Sequence, residues 1–201
     1  MLPEIDIIGQ EKLANSKVSI IGLGGLGSPC SIYMAASGVG NLNLFDDDKV
    51  ELSNLQRQII FNSADLGEEK SSVAKDKLLN LNENIICNSH SIRVNEGNIN
   101  NLLEGSDCVI DCSDNFETRK AINKYCFETK KSLISGACIG WQCQIFILIF
   151  SCEDSPCYEC LFEDIEEEDL SCRESSIFSP LAGLIGTYLA IEAIKNILEL
   201  N

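Results

Sequence analysis

The chain has 201 residues with 45% hydrophobic and 23% charged content, which suits one globular domain with an apolar core and excludes disorder as the main state. Its formal net charge is −16, so a nucleic acid backbone or an anionic membrane would repel it. We therefore expect neither as a partner. A phosphate-bearing ligand would have to be held by a few local cations, a metal ion or helix N-termini.

No segment predicts a membrane span or a leader peptide. The apolar run at 145–150 is too short to cross a bilayer, and the stretch at 181–200 is interrupted by Glu192 and Lys195. The N-terminus carries acidic residues at positions 4 and 6 and has no continuous apolar region. The 11 cysteines lie singly in apolar segments, which is typical of reduced, buried thiols. We expect a cytoplasmic protein.

The predicted elements alternate between helix and strand along a single domain spanning residues 1–201. In chain order they are a helix at 4–15, a strand at 18–21, a helix at 28–37, strand 42–46, helix 72–81, strand 85–94, strand 108–111 and helix 116–129. Two strands then follow at 132–140 and 141–150 with no helix between them, an acidic loop at 153–169 and a final helix at 181–200. This order predicts an α/β, Rossmann-like, mostly parallel sheet with helices on both faces and an antiparallel C-terminal extension.

A glycine-rich turn follows the first predicted strand. Gly22, Gly24 and Gly27 have the G-x-G-x-x-G spacing between an apolar strand and a helix, the context that makes this motif informative. The backbone there can approach a phosphate, and the helix N-terminus supplies oriented N–H groups. Asp46 ends the next strand, where its carboxylate can accept hydrogen bonds from ribose hydroxyls. The turn predicts a nucleotide site but does not separate a dinucleotide from a triphosphate.

Donors and cations after the second strand favour a triphosphate. Asn54, Arg57 and Gln58 lie within five residues, and Lys70 follows an acidic pair. A nicotinamide site favours neutral stacking surface at this point, whereas a guanidinium and an ammonium group stabilise the charge of phosphates. On composition alone, Arg57 and Lys70 would be ordinary surface charges.

Two acidic residues mark the end of the strand at 108–111. Asp111 and Asp114 lie at its carboxyl end, where open α/β sheets bind ligands. Asp114 could hold Mg²⁺ against the phosphates, because such sites use one or two carboxylates together with phosphate oxygens. Alternatively, Asp114 and Asn115 cap the helix that follows.

The combined strings GLGGLGSP, DDDKVELSNLQRQ, DCSDN and PCYECLF, with Lys70 and the segment from Cys172 to Lys195, resemble the ThiF/MoeB/HesA family. This family contains the bacterial relatives of ubiquitin-activating enzymes, and the resemblance covers almost the whole chain. It implies adenylation of the C-terminal Gly-Gly carboxylate of a small ubiquitin-fold sulfur carrier, ThiS-like or MoaD-like, for thiamine or molybdopterin synthesis. The reaction would consume MgATP and release pyrophosphate.

The resemblance also assigns roles to individual residues. The residues that would bind the nucleotide are Gly22, Gly24, Gly25, Gly27, Asp46, Asp48, Asn54, Arg57, Gln58, Lys70, Asp114 and Asn115. Arg57, Lys70 and Asp114 would carry the catalysis, with Asp114 holding Mg²⁺. A carboxylate attacking phosphorus is already ionised at neutral pH and needs no general base, so the single histidine, His90, is not required.

Three cysteines match family positions. Cys172 corresponds to the cysteine that ThiF-type relatives use for sulfur transfer, which makes it a candidate catalytic residue. Cys157 and Cys160 match one of two CxxC pairs that bind zinc in relatives. Because two thiolates do not close a tetrahedral site, zinc is either absent or needs further ligands, such as Cys152, Cys172 or a pair outside these residues.

The broad apolar face of the last helix and the resemblance both predict a homodimer. Two other functions remain open. A catalytically silent carrier-binding module is one, because the arginine-containing arm that precedes this region in relatives and the second CxxC pair do not occur in the 201 residues. An NAD-dependent oxidoreductase is the other, based on the glycines and Asp46.

Overall fold

Short apolar strands alternate with helices along the chain in the computed structural model, which describes residues 2, 5–151, 156–161 and 177–200. The described helices are α1 (Ile7–Asn15), α2 (Gly27–Ala36), α3 (Lys70–Leu81), α4 (Ile99–Leu102), α5 (Phe116–Thr129), α6 (Tyr158–Leu161) and α7 (Ser179–Leu198). The strands are β1 (Lys17–Ile21), β2 (Asn41–Phe45), β3 (Ile86–His90), β4 (Cys108–Asp111), β5 (Ser132–Ile139) and β6 (Gln142–Ile149).

The strands form one sheet in the order β3-β2-β1-β4-β5-β6. All neighbours are parallel except β5 and β6, which pair antiparallel from Ser132 opposite Ile149 to Ile139 opposite Gln142. The predicted Rossmann-like sheet and its antiparallel C-terminal extension are confirmed. Because the chain returns to the middle of the sheet after β3, the order reverses between β1 and β4, and open sheets of this kind bind ligands at such a reversal.

Alternate residues of each strand face opposite layers of helices, as the two-residue period of a strand requires. Ile20, Leu44 and Ile110 point into a core shared with α1, α2, α3 and α7. Ile21 and Val109 point into a second core with α4, α5 and α6. Helices therefore cover both faces of the sheet, as predicted.

Helix α7 carries apolar residues both on the side that lies in the first core and on an exposed side. Ala182, Leu189 and Ala193 are buried, and the helix packs against α2 and β5. By length and composition alone α7 could cross a membrane, contrary to the sequence argument from its two charges. Those charges form a local pair, Lys195 with Glu192, at 3.0 Å. In the described structure α7 packs against α2 and β5 on one side and leaves Leu184, Tyr188 and Ile191 exposed on another.

Several local predictions are wrong. The acidic segment 153–169 is not a loop throughout, because α6 lies within it and buries Tyr158, whose backbone N–H donates to Asn123 Oδ1 at 2.8 Å. Strand β3 ends at His90, four residues earlier than predicted. The cysteines are not all reduced thiols, since Cys138 and Cys143 form a disulfide. They lie directly opposite each other in the β5–β6 register, a relationship that only the hairpin pairing reveals.

Candidate active site

The glycine turn lies at the point where the strand order reverses. Gly22 continues β1 and has a φ of 87°, and a Cβ there would lie 2.6 Å from the carbonyl oxygen of Cys112, the residue after β4. Gly27 opens α2, and a Cβ at that position would lie 1.9 Å from the carbonyl oxygen of Gly22. Both positions therefore require glycine. This close packing leaves the backbone between them open to the space above the sheet.

A cavity of about 670 Å³ opens above the turn. It collects nearly all the residues predicted to bind nucleotide, namely Gly22, Gly24, Gly25, Asp46, Asp48, Asn54, Arg57, Gln58, Lys70, Asp114 and Asn115. Gly27 is not in its wall because it packs beneath the turn. The residues come from the ends of β1, β2 and β4 and from the segment between β2 and α3, which the parallel sheet brings to one edge.

Two backbone N–H groups, one from the glycine turn and one from the segment after β2, hold the Asp46 carboxylate. Its Oδ2 accepts the N–H of Leu23 at 2.7 Å, and its Oδ1 accepts the N–H of Asp48 at 2.9 Å. Burial raises the pKa of Asp46 above its ordinary value of 3.8, and the positive charge of Lys70 opposes this increase. The carboxylate is thus held at the end of β2, tied to the glycine turn, with lone pairs available for a ribose hydroxyl.

Lys70 is a buried cation at the start of α3. Its Nζ lies 2.8 Å from Asp48 Oδ2, and its backbone N–H donates to the carbonyl of Asp48 at 3.0 Å. Only 5% of the Lys70 side chain is exposed, against 66% for Asp48. The ammonium group is therefore already desolvated and oriented towards the cavity, the condition in which it interacts most strongly with an anion.

The segment between β2 and α3 presents three polar side chains to the cavity. Asn54 Oδ1 accepts the N–H of Glu51, which closes a short 3-10 helix at Leu52–Asn54, and Arg57 Nη1 donates to the carbonyl of Ser53 at 3.2 Å. Gln58 is buried, and its Oε1 has no hydrogen-bond partner among the described residues. An unpaired buried polar atom in a cavity wall fits a site that a polar ligand completes.

The sequence left open whether Asp114 holds a metal or caps α5 together with Asn115, and the structure gives the capping role to Asn115. Asn115 caps α5, because its Oδ1 accepts the N–H of Thr118 at 2.9 Å. Asp114 is exposed to the cavity, and no hydrogen bond or ion pair holds its carboxylate among the described residues. An open carboxylate facing a phosphate site has the donor chemistry that Mg²⁺ requires, so the residues present fit this metal.

The cavity also contains residues that the sequence analysis missed. Arg93 and Arg119 both line it, together with Ile92 and Val94 after β3 and Gly136 on β5. Arg119 lies on α5 and is buried against Asp111 and Ser135. Its neighbours FETRK are mostly charged or polar, which predicts an exposed position, so only the tertiary structure reveals its burial.

The described cavity cysteines are not prepared for nucleophilic attack. A hydrogen bond with Cys30, followed by burial, raises the pKa of Cys112 well above 9.0, and Cys138 is bonded to Cys143. Cys172, the predicted sulfur-transfer residue, lies outside the described residues, as does Cys152. The role of Cys172 therefore stays a prediction.

Cys157 and Cys160 lie away from the cavity, with their sulfur atoms 3.2 Å apart. This proximity suits two ligands of one metal ion. The described residues supply no third or fourth thiolate beside them, so this pair alone does not make a closed zinc site.

His90 ends β3 and stacks on Phe45, with ring centroids 4.6 Å apart. Burial lowers its pKa, with a smaller contribution from the charge of Lys17. It lines a separate polar groove with Lys17 and Asn88 rather than the main cavity. Its position lies within the strand predicted at 85–94.

Comparisons with known proteins agree on one family. The model of the ThiF family matches residues 1–201. The chain is 41% identical over 195 residues to the sulfur carrier protein ThiS adenylyltransferase of Escherichia coli, covering 97% of this chain and 77% of that protein. It is also 41% identical over 195 residues to the molybdopterin-synthase adenylyltransferase of the same organism, covering 97% and 78%.

Solved structures show the same fold. E. coli MccB in complex with ATP superimposes with a TM-score of 0.85 and 27% identity, over 97% of this chain and 59% of that chain. The complex of MccB with AMPCPP and selenomethionine-labelled MccA gives a TM-score of 0.86 with 28% identity. The chain thus spans about three fifths of the length of MccB.

Proposed function

The chain belongs to the ThiF family, and from this we propose that it is an ATP-dependent adenylyltransferase acting on a small ubiquitin-fold sulfur carrier. Its substrate is the C-terminal glycine carboxylate of a ThiS-like or MoaD-like carrier, and its second product is pyrophosphate. The names of two relatives, one acting on ThiS and one serving molybdopterin synthase, support this substrate class. We place the reaction in the cytoplasm.

One observation carries the proposal. The ribose acceptor Asp46, the phosphate donors Arg57 and Lys70, and the candidate metal ligand Asp114, which lies 68 positions after Asp46, line a single cavity at the reversal of strand order. The donors include Lys70, which is buried, in a chain with a net charge of −16. The overall negative field of the protein repels an anionic ligand, so a phosphate must be attracted by cations placed at the site itself.

The nucleotide binds along the wall of the cavity. Asp46 accepts hydrogen bonds from the ribose hydroxyls, while Ile92 and Val94 supply apolar surface for the base a few residues beyond His90. The carbonyl of His90 accepts the N–H of Asp46 at 3.2 Å, so the base and ribose positions are connected through one backbone hydrogen bond. The triphosphate lies over the glycine turn at the N-terminus of α2, where N–H groups are available.

Adenylation then requires position and charge rather than a proton acceptor. The carboxylate oxygen of the carrier attacks the α-phosphorus, and the bond from that phosphorus to the bridging oxygen of pyrophosphate breaks. Arg57 and Lys70 stabilise the charge on the phosphate oxygens, and they do so without reorganisation because both are already hydrogen-bonded in place. Holding carboxylate and phosphorus together also removes much of the entropic barrier.

Asp114 is the residue that would hold Mg²⁺, because its carboxylate is open to the cavity. When bound, the ion neutralises charge on the triphosphate and makes pyrophosphate a better leaving group. Asp46, Asp47 and Asp48 also lie close enough together to hold a cation, but Lys70 pairs with Asp48 and each oxygen of Asp46 already accepts one backbone N–H. Asp114 is therefore the better ligand.

A homodimer forms through the outward face of α7. Leu184, Tyr188 and Ile191 are spaced on one side of this helix and are 63%, 43% and 48% exposed. Ile147 on β6 is also exposed. Apolar residues at this spacing are the usual basis of helix association. Sedimentation equilibrium should give the mass of two chains, and Leu184→Asp should shift it to the mass of one.

Exchange of radiolabelled pyrophosphate into ATP tests the activity. The purified chain is incubated with MgATP and each candidate carrier, and a carrier lacking its terminal glycine serves as the matched control. We expect exchange with at least one complete carrier and none with its truncated form. Exchange with no carrier, by a folded protein that binds ATP, would support the silent module instead. Binding of NADH in place of ATP would support the oxidoreductase.

A further inference from the structure

A buried ion pair lies at the wall of the cavity that contains Asp114, with Arg119 in the lining and Asp111 behind it. Asp111 at the end of β4 is 1% exposed and Arg119 on α5 is 6% exposed, with Arg119 Nη1 3.5 Å from Asp111 Oδ2. Removing two charges from water is costly, and this pair is compensated by additional hydrogen bonds around it. Those hydrogen bonds show what the pair holds together.

The Asp111 carboxylate anchors the turn after β4. Its Oδ1 accepts both the backbone N–H of Ser113 at 2.9 Å and the Ser113 hydroxyl at 2.6 Å. Its Oδ2 accepts the hydroxyl of Ser135 on β5 at 2.8 Å. One carboxylate therefore ties the residue before Asp114 to the neighbouring strand.

The guanidinium of Arg119 completes the same connection from the other side. Nη1 donates to Ser135 Oγ at 3.1 Å, and Nη2 donates to the carbonyl of Gly136 at 2.9 Å and to the carbonyl of Ser113. The planar fork of arginine lets Nη2 reach the two backbone carbonyls while Nη1 reaches Ser135, and the single ammonium nitrogen of lysine cannot reproduce that geometry. Arg119 thus joins the turn of Ser113 to the wall of the cavity formed by Gly136.

Asp114 depends on this support because nothing described holds its own side chain. Its carboxylate makes no hydrogen bond or ion pair with a described residue, so its position follows from the backbone on either side. Ser113 precedes it and is held by Asp111 and Arg119, and Asn115 follows it and is fixed as the cap of α5. The turn is therefore clamped at both ends.

We infer that Arg119 is a positioning residue that places Asp114 for binding the metal–nucleotide complex. The inference rests on the proposed function only in taking MgATP as the ligand of the cavity. Groups behind a metal ligand typically change metal affinity or activity by about 10- to 100-fold when they are replaced. Replacing Arg119 with lysine keeps the charge and removes the fork, so it should lower the affinity of the protein–ATP complex for Mg²⁺ by a factor in that range.

The test measures ATP binding by calorimetry over a series of Mg²⁺ concentrations, in the full chain. Arg119→Lys should raise the Mg²⁺ concentration needed for half-maximal binding by about 10- to 100-fold. In an Asp114→Asn background the same change should have no further effect, because the group being positioned is gone. Lys124 lies on the same helix as Arg119 and forms an exposed ion pair with Glu96. Lys124→Gln removes that pair, so it is the matched control and should leave binding unchanged.

Hydrogen exchange in the nucleotide-free protein gives a second readout. The Ser113 amide should exchange faster in Arg119→Lys than in the wild type, while amides in β1 and β2 should keep their rates. A purely structural role would instead increase exchange throughout the sheet and add its cost in the Asp114→Asn background. Either result would overturn the inference, as would a folded Arg119→Lys protein with the Mg²⁺ dependence of the wild type.

Ser135→Ala keeps the test decisive if Arg119→Lys does not fold. It removes one shared partner of Asp111 and Arg119 and leaves the ion pair, so a smaller shift in the same direction is expected. An unchanged Mg²⁺ dependence in Ser135→Ala would then overturn the inference. A wild-type chain that binds MgATP but adenylates no carrier would overturn the proposed function and leave the role of Arg119 standing.

Discussion

The two walls of the cavity are built in different ways. On the wall formed by β1 and β2, the residues proposed to contact the nucleotide hold themselves in place, because Asp46 accepts two backbone N–H groups and Lys70 pairs with Asp48. On the wall formed by β4 and β5, the Asp114 side chain makes no hydrogen bond or ion pair with a described residue, and the buried pair of Asp111 and Arg119 holds the preceding backbone.

This difference teaches where sequence motifs are informative. For Asp46 and Lys70, the motif includes both the residue proposed to contact the ligand and the residues that support it. For Asp114, the motif includes the residue proposed to contact the ligand but not Arg119, which supports it from α5. The following predictions test whether the two walls respond as differently as their contacts imply.

The largest effect is expected from removing a cation on the first wall. Lys70→Met should lower carrier-dependent pyrophosphate exchange by about 1,000-fold, because loss of one preorganised donor to a developing charge typically costs 100- to 1,000-fold. Arg57→Ala should lower exchange by a similar factor, because it also removes a preorganised donor to the phosphates. Exchange is measured by incorporation of labelled pyrophosphate into ATP.

Lys75→Met is the matched control for that experiment. Lys75 lies on the same helix as Lys70 but lines the separate polar groove beside His90. It should therefore exchange pyrophosphate at the wild-type rate. Retained exchange in Lys70→Met would show that this wall does not bind the phosphates.

The next effect concerns the turn that both walls share. Gly22→Ala should lower the free energy of unfolding by about 3 kcal/mol, since it combines a strained φ with a clash against the carbonyl of Cys112. Gly67→Ala separates the two causes, because Gly67 has a φ of 85° with no atom within 4 Å of the added Cβ, and it should cost only about 1 kcal/mol. Equal losses by urea titration would contradict the close packing between the walls.

A smaller effect is expected at the other end of the Asp114 turn. Asn115→Ala removes the cap of α5 and should cost about 1 kcal/mol of unfolding free energy. Asn115→Asp retains a capping oxygen and should restore most of that loss. Urea titrations of the three proteins provide the comparison, and a loss in the Asp variant as large as in the Ala variant would rule out capping as the cause.

The smallest effect is a change in titration on the first wall. Burial raises the pKa of Asp46 above 3.8 and Lys70 opposes this, so Lys70→Met should raise the pKa of Asp46 further. Because the folded-state pKa is raised, this group favours the folded state most at low pH. Its contribution falls as the pH rises from about 3.8 to the raised value. Carbon-13 NMR of the Asp46 carboxyl group in the nucleotide-free protein measures the change, and a lower pKa in the variant would contradict it.

Much of the fold could be predicted because the strong signals are local. The bounds of β4 and α5 are as predicted, and α2 and β2 each begin one residue earlier than predicted. Apolar runs mark the strands, and the polar cap Asn115 marks the start of α5. Helices α4 and α6 were missed because four residues show no helical period. The end of β3 was placed too late because nothing in the segment after His90 marks the loss of pairing with β2.

The candidate site shows the same limit more sharply. The carboxyl ends of parallel strands meet at one edge, so the convergence of Asp46 and Asp114 follows from the predicted topology. The burial of Arg119 does not follow, because it depends on Ser135 and Gly136 of β5, and helix and strand meet only in the tertiary structure. The Cys138–Cys143 disulfide likewise depends on the register of a hairpin.

The most direct test of the central claim is the intact mass of the carrier after incubation with the chain and MgATP. If the cavity adenylates a C-terminal glycine, the carrier gains the mass of one adenylyl group, and neither the carrier without its terminal glycine nor the Lys70→Met enzyme gives this product. A carrier of unchanged mass, with an enzyme shown to bind MgATP, would contradict the claim, and so would equal labelling of the truncated carrier.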